Sequence, residues 1–255
     1  MRNVAPTRSL NRRANQFKTL AFVVGAAGIF ALAVGILLNV VPLVAETDPS
    51  FGVYTFVRGF ALFAGFALLI AGAALGVRAF TWKTDNDLAL HVGRLLEPQL
   101  GDDYTLIRNI SRLQIGYIDA ALVGPPGVLV FRLVGQRGTL INEGDNWVRV
   151  KGRSPTGALS LAPLSFSPTK QTEIDMDKVG SYLTGLGIGD VPVYGLVVLM
   201  RSPPATVIER LINPKLPVTQ LPGLWTTLQQ TYLTDMRIDR AKSEAVVRAL
   251  FGDIG

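Results

Sequence analysis

Two uninterrupted apolar stretches dominate the first eighty residues of the chain. No charged residue occurs from Thr19 to Ala45, and none occurs from Gly59 to Val77. An α-helix needs about 20 mostly apolar residues to cross the hydrocarbon core of a bilayer, and both stretches are apolar on every helical face. The pattern therefore predicts two transmembrane helices, near residues 20–42 and 57–78.

The first apolar stretch has a competing interpretation, which is a cleaved signal peptide. A basic segment precedes it, and Leu43-Val44-Ala45 resembles the end of a cleavage region. The apolar core of a signal peptide is only about 7–15 residues long, however, and a second span does not normally follow it directly. We therefore favour an uncleaved membrane anchor.

The charges that flank the spans predict the orientation of the chain. The segment before the first span has only basic charges, at Arg2, Arg8, Arg12, Arg13 and Lys18, and the loop between the spans carries Glu46 and Asp48. Lys and Arg are retained on the cytoplasmic side of a membrane. We expect an integral protein of a bacterial inner or cell membrane, with a cytoplasmic leader (1–18), a hairpin in the lipid bilayer (19–79) and a cytoplasmic domain (85–255).

The net charge of +6 comes almost entirely from the membrane-flanking segments and not from the domain. Up to Arg78 the chain has seven basic and two acidic residues, which leaves 18 basic and 17 acidic residues of the totals of 25 and 19. An almost neutral domain gives no evidence of a broad surface for nucleic-acid phosphates. Cysteine is absent from the sequence, which excludes disulfides and thiolate metal sites.

The pattern after the second span predicts an α/β (α+β) domain, a mixed sheet flanked by helices. A polar linker over 79–86 and an amphipathic helix over 87–97 precede it. Alternating or continuous apolar runs predict strands, and helical periodicity with turn signals predicts helices. The predicted strands are 104–110, 115–123, 128–134, 138–141, 147–151, 192–200 and 217–220, and the predicted helices are 169–183, 221–232 and 237–251. Residues 152–168 are predicted to form a long loop.

One run of residues carries a resemblance to a known family. Residues 118–131 read Ile-Asp-Ala-Ala-Leu-Val-Gly-Pro-Pro-Gly-Val-Leu-Val-Phe, and Gly138, Trp147 and Ser167-Pro168-Thr169-Lys170-Gln171 follow. This arrangement resembles the nuclease-related domain (NERD) family, whose pattern is Ile-Asp-His, Gly-Pro-x-Gly, an apolar strand, Glu-x-Lys and Gly, with Asn-Pro-x-x-Gln further on. The resemblance covers about residues 85–200 and implies a restriction-endonuclease-like fold.

The resemblance also implies which residues would form the active site. In such nucleases an Asp and a Glu on neighbouring strands bind Mg²⁺ through oxygen, and the metal helps to generate hydroxide. Asp119 matches the family's Asp and Gln171 its Gln, but Arg132 stands at the Glu position and Val134 at the Lys position. A cation at the second ligand position repels a metal ion. We therefore expect a catalytically degenerate pseudo-nuclease without a cofactor.

An active nuclease with a migrated site is the alternative. Glu143 or Asp145 could supply the second carboxylate from the next hairpin, with Arg137 or Lys170 replacing the lysine. Asp119 would then be a ligand of Mg²⁺.

The individual site residues also have simpler interpretations. Asp119 is either the remnant of a metal site or a turn or helix cap. Arg132 binds a phosphate or an acidic partner, or it forms an ion pair with Asp119, which we favour. Gln171 contacts a phosphate, or it pairs with the backbone at a helix start.

Three further features have a structural interpretation that we favour over a functional one. His91 has no partner at metal-ligand spacing and is predicted to have a surface or packing role. The acidic residues Glu173, Asp175 and Asp177 are predicted to form a solvated helix face. Gly72-x-x-x-Gly76 fits a close contact between helices in lipid but does not by itself predict a dimer.

These observations predict a membrane-anchored NERD-like protein that acts as a binding or regulatory module. Its partner is an unidentified protein or a nucleic acid, and its oligomeric state stays open. A third interpretation makes the membrane hairpin the functional part of a structural subunit.

Overall fold

The computed structural model describes residues 1–4, 7–153, 159–201 and 204–251, without the side chains of residues 7–14, 82–86 and 153. The chain divides into two compact units. Arg8–Thr84 form the first, which we call the helical hairpin. Met1–Thr7 and Asp85–Gly255 form the second, which we call the globular unit.

Two long helices make up the hairpin. Helix α1 spans Thr7–Val40 and helix α2 spans Phe51–Leu96, so that the last turns of α2 belong to the globular unit. By length and composition, Asn15–Val40 and Phe51–Thr81 can each cross a membrane. Only 11% of the most apolar window of either helix is buried within the structure, whereas the core helix of a soluble protein is mostly buried.

Glycines bring the backbones of α1 and α2 into contact. A Cβ atom added to Gly65 would lie 2.6 Å from the backbone nitrogen of Leu32, and one added to Gly72 would lie 3.0 Å from that of Gly25. Small residues allow helices in lipid to approach in this way. Gly72 of the Gly-x-x-x-Gly motif therefore serves the contact inside the hairpin, while an added Cβ of Gly76 would touch only Ala21, at 4.0 Å.

The described part of the globular unit contains ten strands in two mixed sheets. The strands are β1 (Arg2–Val4), β2 (Thr105–Arg112), β3 (Gly116–Gly124), β4 (Gly127–Val134), β5 (Gly138–Glu143), β6 (Asn146–Arg153), β7 (Leu159–Pro163), β8 (Val193–Leu199), β9 (Thr206–Ile212) and β10 (Val218–Gln220). The main sheet has the order β1-β2-β3-β4-β8-β10, and the small sheet has the order β7-β6-β5-β9. In the main sheet β2, β3 and β4 are antiparallel neighbours, and the other pairs are parallel.

Helices cover both faces of the main sheet. Residues alternate between the faces along each strand, so that Leu106 packs against α2 while Ile107 packs on the opposite face. The last turns of α2 cover one face together with a 3₁₀ turn (Leu221–Gly223) and helix α4 (Leu224–Thr231). Helices α3 (Pro168–Gly185) and α5 (Arg240–Phe251) cover the other. The small sheet packs through Leu140 and Trp147 on the ends of β4 and β8.

A buried tyrosine forms hydrogen bonds on both sides of the turn between β3 and β4. The Tyr232 hydroxyl lies 2.9 Å from the carbonyl oxygen of Gly127 and 3.1 Å from that of Leu122. Burial raises the pKa of this hydroxyl well above its ordinary value, with smaller contributions from two neighbouring tyrosines. The backbone N–H groups of Arg237 and Ile238 both donate to the Pro125 carbonyl in the same turn. The turn thereby fixes the register of the two strands that carry Asp119 and Arg132.

The predicted mixed α/β class is confirmed. Three strands were not predicted. Strand β1 lies inside the predicted leader, β7 lies inside the predicted loop 152–168, and β9 lies in a segment with no assigned element. The first two strands have only 3 and 5 residues, too few for a clear period of two, and strand pairing stabilises them.

The prediction that a linker over 79–86 separates two helices was also wrong. Helix α2 continues through it to Leu96. The segment contains neither glycine nor proline, so its polar residues have no strong helix-breaking effect.

We expect Gly65→Leu to destabilise the hairpin, because its Cβ would overlap the backbone of α1. Gly59→Leu is the matched control, since an added Cβ there has no atom within 4 Å. Thermal unfolding of the full chain in detergent, followed by circular dichroism, should show a lower Tm for Gly65→Leu than for Gly59→Leu. Equal Tm values would contradict the glycine contact.

We expect Tyr232→Phe to lower stability at pH 7 by about 0.5–1.5 kcal/mol, the usual value of a lost hydrogen bond. An unfolded tyrosine has a pKa of about 10, and the folded pKa is higher, so the wild type loses stability as pH rises above about 10. The variant lacks this loss, and the difference should narrow toward pH 11. Urea unfolding of both proteins between pH 7 and 11 measures it, and parallel curves would refute the interpretation.

Candidate functional site

Asp119 on β3 and Arg132 on β4 lie side by side on the face of the main sheet that α3 covers. The ladder between these strands pairs Ala120 with Phe131, and the two site residues occupy the next position beyond that pair. Phe131 and Leu133 pack on the opposite face. Alternation along β4 therefore directs Arg132 toward α3.

Arg132 bridges two carboxylates. One terminal nitrogen of its guanidinium lies 3.5 Å from Asp119 Oδ2, and the other forms an ion pair with Asp175 Oδ2 from α3. Gln171 Nε2, one turn earlier on α3, donates to Asp175 Oδ1 at 3.2 Å. The side chains of Arg132, Asp119 and Asp175 are only 15%, 11% and 2% exposed. We call these four residues the Arg132 cluster.

Asp119 is held by the backbone as well as by the guanidinium. The Leu133 N–H donates to Asp119 Oδ2 at 2.8 Å, which ties the carboxylate across the strand pair. The Nε atom of Arg132 is buried and has no hydrogen-bond partner among the described residues. Ion pairs so nearly enclosed recover their desolvation cost only when both partners stay in place. The cluster is therefore a closed electrostatic unit.

A chain of hydrogen bonds positions the start of α3. Trp147 Nε1 donates to Thr169 Oγ1 at 3.1 Å, and this hydroxyl lies 3.2 Å from Ser167 Oγ. Ser167 Oγ in turn donates to the Asp145 carbonyl and accepts from the Lys170 N–H, as an N-cap does. The chain connects α3 to the small sheet, and this connection directs the first turn of α3 toward β4.

Val134, which the resemblance to the NERD pattern predicts to replace a lysine, lies in an apolar environment. It is 2% exposed and belongs to a buried cluster with Leu140, Trp147, Val197 and Leu199. Valine has no group that could hold or activate a water molecule. Val134 therefore contributes to packing of the small sheet against β4 and β8.

The residues of the migrated-site alternative do not come together around Asp119. Asp145 forms an ion pair with Lys215, 2.5 Å away, whereas Glu143, Arg137 and Lys170 are exposed. In the described part of the chain there is no group of three or more His, Cys, Asp or Glu side chains that could hold a metal ion. That alternative stays a prediction without geometric support.

The structure corrects two interpretations of the acidic residues. Asp175 is buried against Arg132, so the prediction of a solvated helix face was wrong for it, although Asp177 is exposed. Asp119 lies inside β3 and is neither a turn residue nor a helix cap. The signal for Asp175 was its position in the stripe Thr172, Asp175, Val179 and Leu183, which is the buried face of α3.

The structure assigns simpler roles to the other two residues of interest. His91 is exposed on α2. Gln171 uses its side chain on Asp175 rather than on the backbone, whereas its backbone N–H continues the helix toward Ser167. Among the described residues, neither side chain belongs to a group of side chains that could hold a metal ion.

A strained residue that the sequence did not reveal lies opposite Asp119. Asn109 is buried and has a φ of +54° inside β2, where the ladder with β3 omits it between the Arg108–Ala120 and Ile110–Ile118 pairs. The Tyr117 hydroxyl donates to Asn109 Oδ1 at 3.0 Å. Positive φ values are tolerated best by Asn among residues with side chains. The irregular backbone of β2 at Asn109 therefore lies next to Asp119 of the Arg132 cluster.

The fold and the site define a mixed α/β protein with a buried Asp-Arg-Asp cluster and two helices long and apolar enough to cross a membrane. In comparisons with known proteins, no family model, no curated protein and no solved structure matches this chain.

We expect Arg132→Met to destabilise the globular unit by about 3–5 kcal/mol, because it leaves two enclosed carboxylates without their cation. Arg210→Met is the control, since Arg210 is exposed and surface changes usually stay within about 0.5 kcal/mol. Chemical denaturation of the full chain in detergent provides the measurement. Adding Asp119→Asn and Asp175→Asn to Arg132→Met should recover part of the loss. Equal stability of the two single variants would contradict the cluster's role.

Proposed function

We propose that this protein is a membrane-anchored, NERD-like domain protein whose nuclease site is degenerate and which acts as a binding or regulatory module. The observation that carries the proposal is the position of Arg132, whose guanidinium lies between Asp119 and Asp175. The sequence around these residues resembles the NERD pattern. A cation supplied by the chain therefore stands where the related nucleases need a metal.

The electrostatics of the cluster argue against metal-dependent cleavage. Asp119 and Asp175 offer the oxygen ligands that Mg²⁺ prefers, but the Arg132 guanidinium already pairs with both of them. A metal ion would have to displace the guanidinium or accept its repulsion at close range. The residues present therefore do not fit Mg²⁺ at this site, which favours binding over metal-dependent cleavage.

The apolar, mostly unburied surfaces of the hairpin helices support membrane anchoring. Strand β1 supports an orientation in which both ends of the hairpin lie on one side. Arg2–Val4 precede the hairpin and pair with Thr105–Ile107, which follow it. Two segments of one sheet cannot lie on opposite sides of a bilayer. The basic residues before the first span favour the cytoplasm as that side.

The test of this function uses the full chain in detergent, because a fragment that starts after the hairpin would lack β1. The protein is incubated with single- and double-stranded DNA and RNA in Mg²⁺ or Mn²⁺, and Mn²⁺ binding is measured by calorimetry. We expect no cleavage and no binding heat. Cleavage that disappears in Asp119→Asn would instead establish the active nuclease with a rearranged site.

One variant makes the same experiment sensitive to the position of the guanidinium. Arg132→Ser removes the cation and leaves Asp119 and Asp175 facing the vacated space. We expect this variant to gain Mn²⁺ binding and a Mn²⁺-dependent rise in Tm, since ligand binding to the folded state stabilises it. Asp119→Asn combined with Arg132→Ser is the matched control and should gain neither. Equal responses of these two proteins would exclude the metal-like role of Arg132.

A further inference from the structure

Arg108 is a second enclosed arginine, on β2. It is 7% exposed and follows Ile107, which packs on the face of the main sheet that α3 and α5 cover, so Arg108 belongs to the face that α2 covers. Its Nε donates to Asn3 Oδ1 at 2.7 Å. Arg108 therefore lies on the opposite side of the sheet from the Arg132 cluster and takes no part in it.

Among the described residues, Arg108 differs from Arg132 in having no carboxylate partner. Within the described residues no Asp or Glu oxygen lies within 4.0 Å of its guanidinium. The charged neighbour is instead Arg94 of α2, and burial together with this second cation lowers the pKa of Arg108. An enclosed cation without a counter-ion is costly, and a like charge nearby increases the cost. An anion bound between the two arginines would remove both penalties.

Three elements converge to orient the Arg108 side chain. Asn3 belongs to β1, which pairs with β2, and its amide lies against Gly93 of α2. A Cβ atom on Gly93 would overlap the Asn3 amide, so a larger residue there would require that amide to shift. Asn3 accepts a hydrogen bond from Nε of Arg108. Among the described residues, the two terminal nitrogens of Arg108 are not buried atoms that lack a partner. The two terminal nitrogens are thus presented as a fork to an incoming ligand.

Arg108 and Arg94 belong to or pair with the two segments through which the chain connects to the hairpin. Val4 pairs with Ile107, and the chain then leads on to α1, which begins at Thr7. Helix α2 runs antiparallel to β1, because Asn3 lies beside Gly93 while the Met1 nitrogen donates to the Leu100 carbonyl. Arg94 is therefore on the part of α2 that comes directly from the hairpin.

We propose that Arg108 and Arg94 bind the phosphate group of an anionic ligand, and that a phospholipid headgroup supplies it. The planar guanidinium fork matches phosphate oxygens. The lipid source rests on the proposed membrane anchoring, whereas the anion site itself rests only on the globular unit. Free phosphate offers the same chemistry, and the experiment separates the two sources.

The experiment measures the Tm of the full chain in two settings. In neutral detergent, inorganic phosphate is compared with chloride at equal ionic strength, which keeps screening constant. In nanodiscs, phosphatidylglycerol is compared with phosphatidylcholine. We expect the wild-type Tm to rise by at least about 2 °C with the anionic lipid. Arg94→Met should reduce this rise, and Arg210→Met, at an exposed arginine, should keep it.

Arg108→Met separates a ligand site from a purely structural role. Methionine replaces an unpaired cation by an apolar chain of similar length, so we expect its Tm without added anion to equal or exceed that of the wild type. Its response to phosphate and to phosphatidylglycerol should be lost. Asn3→Ala removes the hydrogen bond that orients the guanidinium and should therefore reduce the response.

The outcomes are distinguishable from failure of the membrane proposal. A response to phosphatidylglycerol that Arg108→Met abolishes supports the site and the lipid source. A response to free phosphate alone would overturn the lipid source and keep the anion site, and failed incorporation into nanodiscs would count only against the anchor. The absence of any anion response in the wild type, or an undiminished response in Arg108→Met, would overturn the site.

Discussion

The ion pairs of Arg132 are the interaction on which the rest of the globular unit depends. The guanidinium joins β4 to β3 through Asp119 and joins the main sheet to α3 through Asp175. All three charges are largely enclosed, so each requires the others. The small sheet takes part indirectly, because the hydrogen bonds from Trp147 through Thr169 and Ser167 hold the first turn of α3. A change in the one arginine therefore affects two strands and a helix at once.

The main sheet places a second constraint on the chain, which is topological. Strand β1 precedes the hairpin, and β2, its partner, follows it. The sheet can be completed only after both long helices have been made and the chain has reached β2. The proposed orientation, with both ends of the hairpin on one side of a membrane, would meet this requirement. Strand β1 has only 3 residues, and the hydrogen bond from Arg108 to the Asn3 side chain supports it in addition to its backbone pairing.

The parts of the fold that the sequence predicted are those with strong local signals. The continuous apolar run of β4, the Gly124–Gly127 turn and the periodicity of α3 each specify an element without help from distant residues. The same turn fixes the register of β3 and β4, which is why the ion pair between Asp119 and Arg132 could be anticipated. Asp175 could not be placed in this way. An acidic residue on a helix is usually solvated, and only the docking of α3 on the sheet reveals that it faces a buried cation.

The two enclosed arginines show why burial alone does not indicate function. Arg132 has carboxylates on both sides, so its charge is compensated within the chain and the position is closed to another ion. Arg108 has an amide on one side and another arginine nearby, so its charge is oriented but not compensated. The first arrangement stabilises the fold and leaves no free carboxylate pair at this position. The second leaves a cation without a carboxylate partner among the described residues, which is the feature that the proposed anion would compensate.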